Sequence, residues 1–111
     1  MRGHGLLVAA MMSSLAKADL HALVMGDWGG IPLPPWTTPA EGETAAAMGV
    51  LAQEVNASFA IVVGDNFYTH GVTDEHDKRF QHTFEDVFSH PRLQAEAGFK
   101  FKVCAGNHDR K

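Results

Sequence analysis

Three short apolar runs along the chain each end at a glycine that is followed directly by an acidic or amide residue. The runs cover residues 22–25, 60–63 and 103–105. A short apolar run that contains β-branched residues and ends at Gly-Asp or Gly-Asn is typical of a buried parallel strand leading into a loop. We therefore predict strands over residues 20–25, 59–63 and 99–105. In the third strand lysines alternate with apolar residues, which predicts that one face is partly exposed.

Two helices are predicted between these strands. Thr38 can cap the first helix, with proline and glutamate in the first turn, and apolar spacing extends this helix to about residue 55. Its core face would carry Ala45, Met48, Leu51, Ala52 and Val55. The second helix is predicted over residues 74–88, where acidic residues favour the N-terminus. Its expected core residues are Phe80, Phe84, Val87 and Phe88. The order β-α-β-α-β predicts an α/β fold with a parallel sheet and right-handed crossovers.

The composition is that of one small globular domain. With 111 residues the chain forms one domain at most, and 45% hydrophobic with 20% charged residues argues against disorder. The net charge of −4 provides no basic surface for a polyanion, so we expect no nucleic-acid binding. The seven histidines would add positive charge below about pH 6.5, which suits an acidic compartment.

Residues 1–18 have the pattern of a secretory signal peptide. Arg2 provides a basic start, residues 5–16 are mostly apolar, and Ala16-Lys17-Ala18 fits a cleavage site. The apolar stretch is shorter than the roughly 20 residues that span a membrane, so no membrane span is expected. A poorly ordered leader or a misassigned start is the alternative. The signal favours a secreted or lysosomal protein, in which Asn56 of the tripeptide Asn-Ala-Ser is a candidate glycosylation site.

The chain contains a single cysteine, Cys104, within the third apolar run. No disulfide can therefore close within this chain. We expect Cys104 to be a small buried hydrophobic residue. The alternative is a free thiol, or one paired with something outside this segment.

Each predicted strand leads into a short polar motif: G-D-W-G-G at 26–30, G-D-N-F-Y at 64–68 and G-N-H-D at 106–109. Loops at the carboxyl ends of parallel strands share one crevice. The side chains expected to converge there are Asp27, Asp65, Tyr68, Asn107 and His108. Carboxylates suit hard cations and can bridge two of them. A phenol, whose pKa is about 10, would need a trivalent metal such as Fe(III). Each residue alone has an ordinary structural explanation, but together they predict a metal site.

The order of these motifs resembles that of the metallophosphoesterase superfamily. It is closer still to the animal-type purple acid phosphatases, also called tartrate-resistant acid phosphatases. The similarity continues through residues 71–72, 77–81 and 83–88, and so covers about residues 20–109. Tyr68 is the specific signal, and Gly29 stands where other metallophosphoesterases usually carry the histidine of a D-x-H motif. The resemblance implies that the chain is the first half of a metallophosphoesterase α/β sandwich, truncated.

The resemblance also implies a binuclear centre of Fe(III) with Fe(II), Zn(II) or Mn(II). By motif position, Asp27 and Tyr68 would bind the ferric ion, and Asp65 would bridge both metals. Asn107 would bind the divalent ion. His108 would orient the substrate phosphate or assist the leaving group, which makes it the candidate catalytic residue. A phosphate monoester would lie across the metals, and a metal-bound hydroxide would attack phosphorus in line.

The family pattern continues with motifs that supply three more histidine ligands, whereas this sequence ends at Lys111. The other histidines are interpreted as surface or structural residues: His4, His21, His70, His76, His82 and His90. Residues 19–111 are thus expected to be the N-terminal part of an incomplete domain, inactive in isolation. Two alternatives stay open. One is a non-catalytic secreted glycoprotein fragment that binds a partner or a single metal, and the other is a metallophosphoesterase that uses divalent metals only.

Overall fold

The structure, a computed structural model, describes residues 19–110. Its sheet contains three parallel strands in the order β1 (Ala22–Met25), β2 (Phe59–Val62) and β3 (Lys100–Val103). The three carboxyl ends therefore lie along one edge. This arrangement confirms the predicted parallel α/β fold, with each strand slightly shorter than the sequence indicated. The predicted signal peptide, residues 1–18, lies outside the described residues.

Helix α1 (Pro39–Glu54) crosses from β1 to β2 and begins as predicted. The Thr38 hydroxyl accepts the backbone N–H of Glu41 at 3.2 Å, and proline occupies the first turn. The prediction that Leu51 belongs to the core is wrong, because that side chain is 45% exposed. Gly49 is buried instead, since the ring of His90 packs so closely that a Cβ would lie 2.2 Å from its Cγ.

The prediction of a helix over residues 74–88 is also wrong in extent. Only a short segment with π-helical hydrogen bonding forms, at Phe80–Glu85. Carboxylates compete for the backbone before it: Asp74 accepts the His76 N–H at 2.8 Å, and Asp77 accepts those of Thr73 and Arg79 at 2.8 and 2.9 Å. Such side-chain bonds stabilise turns at the expense of helix. They also hold the pKa of Asp77 below its usual range.

Aromatic side chains form the part of the core nearest to the loops. Trp28, from the first motif, is buried, and its ring centroid lies 5.0 Å from that of Phe67 and 5.1 Å from that of Phe84. Phe88 is 2% exposed, as expected for a core residue, whereas Phe80 is 38% exposed and was predicted wrongly. The first two motifs are thus anchored through the hydrophobic side chains that they contain.

The opposite face of the sheet is open to solvent. Val24 and Ile61, which are paired in neighbouring strands, are 68% and 40% exposed. On β3 the Lys102 ammonium lies 5.4 Å from the centre of the Phe59 ring. The expected exposure of one face of β3 is confirmed, and the exposed face of the sheet also carries apolar residues of β1 and β2. No helix within residues 19–110 combines the length and hydropathy that a membrane span requires.

Cys104 is exposed, which corrects the prediction of a buried residue. It lies just beyond β3, the edge strand, where its backbone N–H and its thiol both lie near the Val62 carbonyl, at 3.1 and 3.2 Å. The backbone is therefore held to the sheet while the residue stays accessible. The apolar neighbours in the sequence predicted burial only because they did not reveal that β3 is at an edge.

Glu41 carries a carboxylate that is buried without a hydrogen bond. The residue is 4% exposed, and neither side-chain oxygen has a partner within residues 19–110. Burial raises the pKa of Glu41 from its ordinary 4.5 to about 7, although the nearby Arg79 charge opposes the shift. The folded protein therefore keeps a proton that the unfolded chain releases between those two pH values.

We expect Glu41→Gln to remove a pH-dependent loss of stability. Because the folded-state pKa is raised, wild-type stability falls as pH rises from about 4.5 to about 7, by about 3 kcal/mol in total. The Gln variant should match wild type near pH 4 and exceed it in free energy of unfolding at pH 8. Urea denaturation at both pH values measures the difference. Glu43→Gln, at an exposed position on the same helix, is the control. A Gln variant with the wild-type pH profile would contradict the assignment.

Candidate metal centre

The first two motifs place an aspartate at the same point after neighbouring strands. Asp27 and Asp65 each follow a glycine at the end of β1 and β2, and both have left-handed backbone angles, with φ of 55° and 54°. The Asp27 N–H donates to the Gly64 carbonyl at 3.1 Å, which joins the two turns. Such a conformation costs a non-glycine residue about 1–3 kcal/mol and is concentrated at functional sites. Because two aspartates with this conformation lie after neighbouring strands, this edge of the sheet is the candidate site.

Tyr68 lies between the two carboxylates. Its hydroxyl donates a hydrogen bond to Asp27, and its oxygen is 3.2 Å from Asp65 Oδ2. The hydrogen bond to Asp27, with burial and both negative charges, raises the pKa of Tyr68 well above its ordinary range. The phenol therefore keeps its proton unless a strong Lewis acid replaces it. Three oxygen ligands of the hard type thus meet at one point.

The third motif reaches this cluster through His108. Its backbone N–H donates to Asp65 Oδ1 at 3.0 Å, and this bond holds the pKa of Asp65 below its usual range. The imidazole lies against the phenol of Tyr68, with ring centroids 4.7 Å apart, and its Nδ1 is 2.9 Å from the Thr69 carbonyl oxygen. Since a carbonyl only accepts, Nδ1 carries the proton and Nε2 is left available.

Asn107 begins the short 3₁₀ turn Asn107–Asp109 and is exposed. No hydrogen bond within residues 19–110 joins its side chain to Asp27, Asp65 or Tyr68. The structure thus brings four of the five predicted site residues into direct contact and leaves Asn107 beside them at the rim.

Two glycines allow the second and third motifs to approach this closely. A Cβ on Gly106 would lie 2.2 Å from Asp65 Oδ1, and one on Gly64 would lie 2.9 Å from the Gly106 Cα. Gly64 also has a φ of 110°, which side-chain-bearing residues rarely adopt. The contact between the loops therefore requires both glycines, and the backbone angle is a second requirement at Gly64.

Sequence reasoning missed the role of Asp109, the last residue of the third motif. Its carboxylate accepts the backbone N–H groups of Asn66, Phe67 and Gly106 at 2.8, 2.9 and 2.8 Å. It also accepts the Asn66 amide group at 3.0 Å. Asp109 thus fixes the second motif to the third. The available signal was that Asn66 and Asp109 are polar residues of the second and third motifs to which no function had been assigned.

The remaining described histidines are consistent with the surface or structural roles predicted for them. His21, His70 and His76 are exposed. The ring of His82 stacks on Trp36, and His90 Nδ1 accepts the Arg92 N–H at 3.1 Å. His4 lies outside the described residues.

Asn56 is exposed just beyond the end of α1, and its side-chain oxygen accepts a hydrogen bond from Arg92 at 2.8 Å. Its glycosylation stays a prediction.

The donor set fits a hard cation, although it is small. The phenol oxygen lies within hydrogen-bonding distance of both carboxylates, and Asp27 is exposed. A cation there would replace the phenol proton and relieve the repulsion between Asp27 and Asp65. Counting only His, Cys, Asp and Glu, no group of three that could hold a metal ion occurs within residues 19–110. Tyr68 is therefore the residue that makes the cluster a candidate.

No protein-family model matches this chain, but several characterised proteins do. Tartrate-resistant acid phosphatase type 5 of Sus scrofa is 47% identical over 90 residues, which are 81% of this chain and 26% of that protein. The Homo sapiens protein of the same name is 44% identical over 107 residues, 94% of this chain and 32% of that one. Purple acid phosphatase 3 of Arabidopsis thaliana is 34% identical over 99 residues, which are 89% of this chain and 25% of that protein. The chain spans between a quarter and a third of the length of these relatives.

Among solved structures, the chain is similar to GAP50, the anchor in the inner membrane complex of Plasmodium. The TM-score is 0.66 at 23% identity, over 81% of this chain and 26% of that one. At this identity the likeness shows a shared fold alone.

Proposed function

Since this chain is homologous to the tartrate-resistant and other purple acid phosphatases, we propose that its strand-end loops supply part of a binuclear metal site that hydrolyses phosphate monoesters. The observation that carries the proposal is the Tyr68 hydroxyl between Asp27 and Asp65. A position between two carboxylates is unusual for the hydroxyl of a tyrosine that has a purely structural function. It suits a ferric ion, which is acidic enough to displace the phenol proton.

In the proposed site, Asp27 and Tyr68 would hold the ferric ion, and Asp65 would bind both ions. Asn107 would bind the divalent ion, for which Fe(II), Zn(II) and Mn(II) are the candidates. When bound, the two metals supply positive charge for the phosphate oxygens and an activated water as nucleophile. The protein holds these ligands in a fixed arrangement, through the ends of the strands and the hydrogen bonds of Asp109.

His108 is proposed as the residue that touches the substrate. Its Nδ1–H is held by the Thr69 carbonyl, so the available Nε2 can accept a hydrogen bond or, when the ring is protonated, donate one. In the protonated form, the ring would orient the phosphate or give a proton to the leaving alcohol oxygen.

Four protein ligands are few for two metal ions. We therefore expect residues 19–111, as the N-terminal part of a phosphatase domain, to have no turnover by themselves. A secreted or lysosomal location, with glycan on Asn56, completes the proposal.

The second candidate function is non-catalytic, with this chain as a secreted glycoprotein that binds a partner or one metal. An open apolar cleft of about 350 Å³, bordered by Val72, Phe80 and Val103, favours that reading.

The deciding experiment uses the natural protein, purified and deglycosylated. Intact mass, metal content and phosphate release from para-nitrophenyl phosphate at pH 5 are measured on the same sample. Iron, a second metal and turnover, with a mass well above that of residues 19–111, would support the phosphatase. A mass equal to that of residues 19–111, without iron or turnover, would overturn it in favour of the binding protein. Zinc or manganese with turnover but no iron would indicate a divalent-only enzyme.

A further inference from the structure

Arg79 is a buried cation that the proposed site does not use. It is 4% exposed and lies in the turn before the π-helical segment. Its Nη2 donates to the Gly29 carbonyl at 2.5 Å, and longer contacts of 3.4 Å join Nη1 to the Gly71 carbonyl and Nε to the Thr83 hydroxyl. Burying a guanidinium is costly unless its N–H groups have partners. Here each partner belongs to a different segment, and the shortest bond goes to the first motif.

The Gly29 carbonyl has a second partner, the backbone N–H of Tyr68, at 3.1 Å. A Cβ on Gly29 would lie 2.4 Å from Tyr68 Cδ2, so this backbone is in direct contact with the phenol ring. The position of the Gly29 peptide therefore sets the position of Tyr68. Arg79 donates to the same carbonyl oxygen.

The other two contacts connect Arg79 to the remaining loops. Gly71 packs against the third motif, because a Cβ there would lie 2.6 Å from the Asp109 carbonyl oxygen. Thr83 donates its hydroxyl proton to the Trp36 carbonyl at 2.9 Å, in the loop between β1 and α1. A planar guanidinium can donate in these separate directions at once, whereas a lysine ammonium at the end of a flexible stem cannot match the geometry.

We propose that Arg79 is a positioning residue of the metal centre, which holds the Gly29 carbonyl and through it fixes the Tyr68 phenol against Asp27 and Asp65. The metal-binding consequence rests on the proposed function. The positioning itself rests only on contacts within this chain, so the two can fail separately.

The first test is amide hydrogen exchange of the natural protein after its metal has been removed, resolved by NMR. Arg79→Lys should accelerate exchange of the Tyr68 N–H at least tenfold relative to the amides of Asn66 and Phe67, which donate to Asp109 instead. Arg92→Lys is the matched control, because Arg92 also joins separate segments, through Asn56, Ala57 and Ala97. Equal acceleration of the Tyr68 amide in both variants would overturn the proposal, since it would reflect general loss of stability.

A second variant keeps the test decisive if Arg79→Lys does not fold. Thr83→Val removes one Arg79 partner at nearly constant volume. It should accelerate the Tyr68 amide in the same direction by about threefold. No change at Tyr68 in this variant, with Asn66 and Phe67 also unchanged, would count against positioning by Arg79.

The second readout is the visible absorption of protein loaded with ferric ion. Arg79→Lys should shift or weaken the tyrosinate band seen in wild type and Arg92→Lys. An unaltered band in Arg79→Lys would overturn the role of Arg79 at the metal. A wild type that develops no band would instead overturn the proposed function, while the exchange result still decides the positioning.

Discussion

Asp65→Asn is expected to abolish phosphate-ester hydrolysis in the natural protein, with kcat at least about a thousandfold lower. In the proposed site both metals share this carboxylate, so the change removes negative charge from both. The pKa of Asp65 is held below its usual range by the His108 N–H, which means that the group is ionised even in an acidic medium. In asparagine, one of the two carboxylate oxygens that face the His108 amide and the Tyr68 hydroxyl is replaced by an NH₂ group. That group cannot accept the hydrogen bond that the oxygen accepts in wild type.

Asp86→Asn provides the control for this experiment. Asp86 is exposed and its nearest charged partner is the His82 ring, at 3.3 Å. The two variants lose the same charge, and only one of them touches the strand-end cluster. Metal content and release of para-nitrophenol are compared with wild type for both. Near-normal turnover in Asp65→Asn, at a metal content equal to that of Asp86→Asn, would show that Asp65 is not the bridging ligand.

The residues of the candidate site were predictable because their placement is local. A strand of four residues that ends at Gly-Asp puts a carboxylate at a known edge of a parallel sheet, and this chain does so at Asp27 and at Asp65. The capping role of Thr38 could also be predicted, since its hydrogen bond spans only three residues. These features depend on a few neighbouring positions and could therefore be predicted from the sequence.

The errors arose where distant segments meet. His90 packs against Gly49 while Leu51 is exposed, and no helical periodicity encodes that contact. Arg79 and Asp109 were not recognised because their main partners lie far along the chain, at Gly29 and Asn66. The prediction of the second helix was wrong for a different reason. Asp77 bonds the backbone on both sides of itself, and a rule that counts acidic residues as favourable at a helix start cannot distinguish capping from a turn.

Tyr68→Phe is expected to remove the visible colour of the iron-loaded protein completely. Tyr68 is the one tyrosine within the 111 residues, and in the proposed site its phenolate is the ligand that gives the tyrosinate–Fe(III) band. Phenylalanine retains the ring packing on His108 and leaves Asp27 and Asp65 in place, but provides no oxygen for the ferric ion. His108→Ala is the control, because the band should survive there: its backbone N–H still supports Asp65. Visible spectra at equal iron content measure the effect. A band that persists in Tyr68→Phe would mean that the colour has another origin and that the phenol lies between two carboxylates for a structural reason alone.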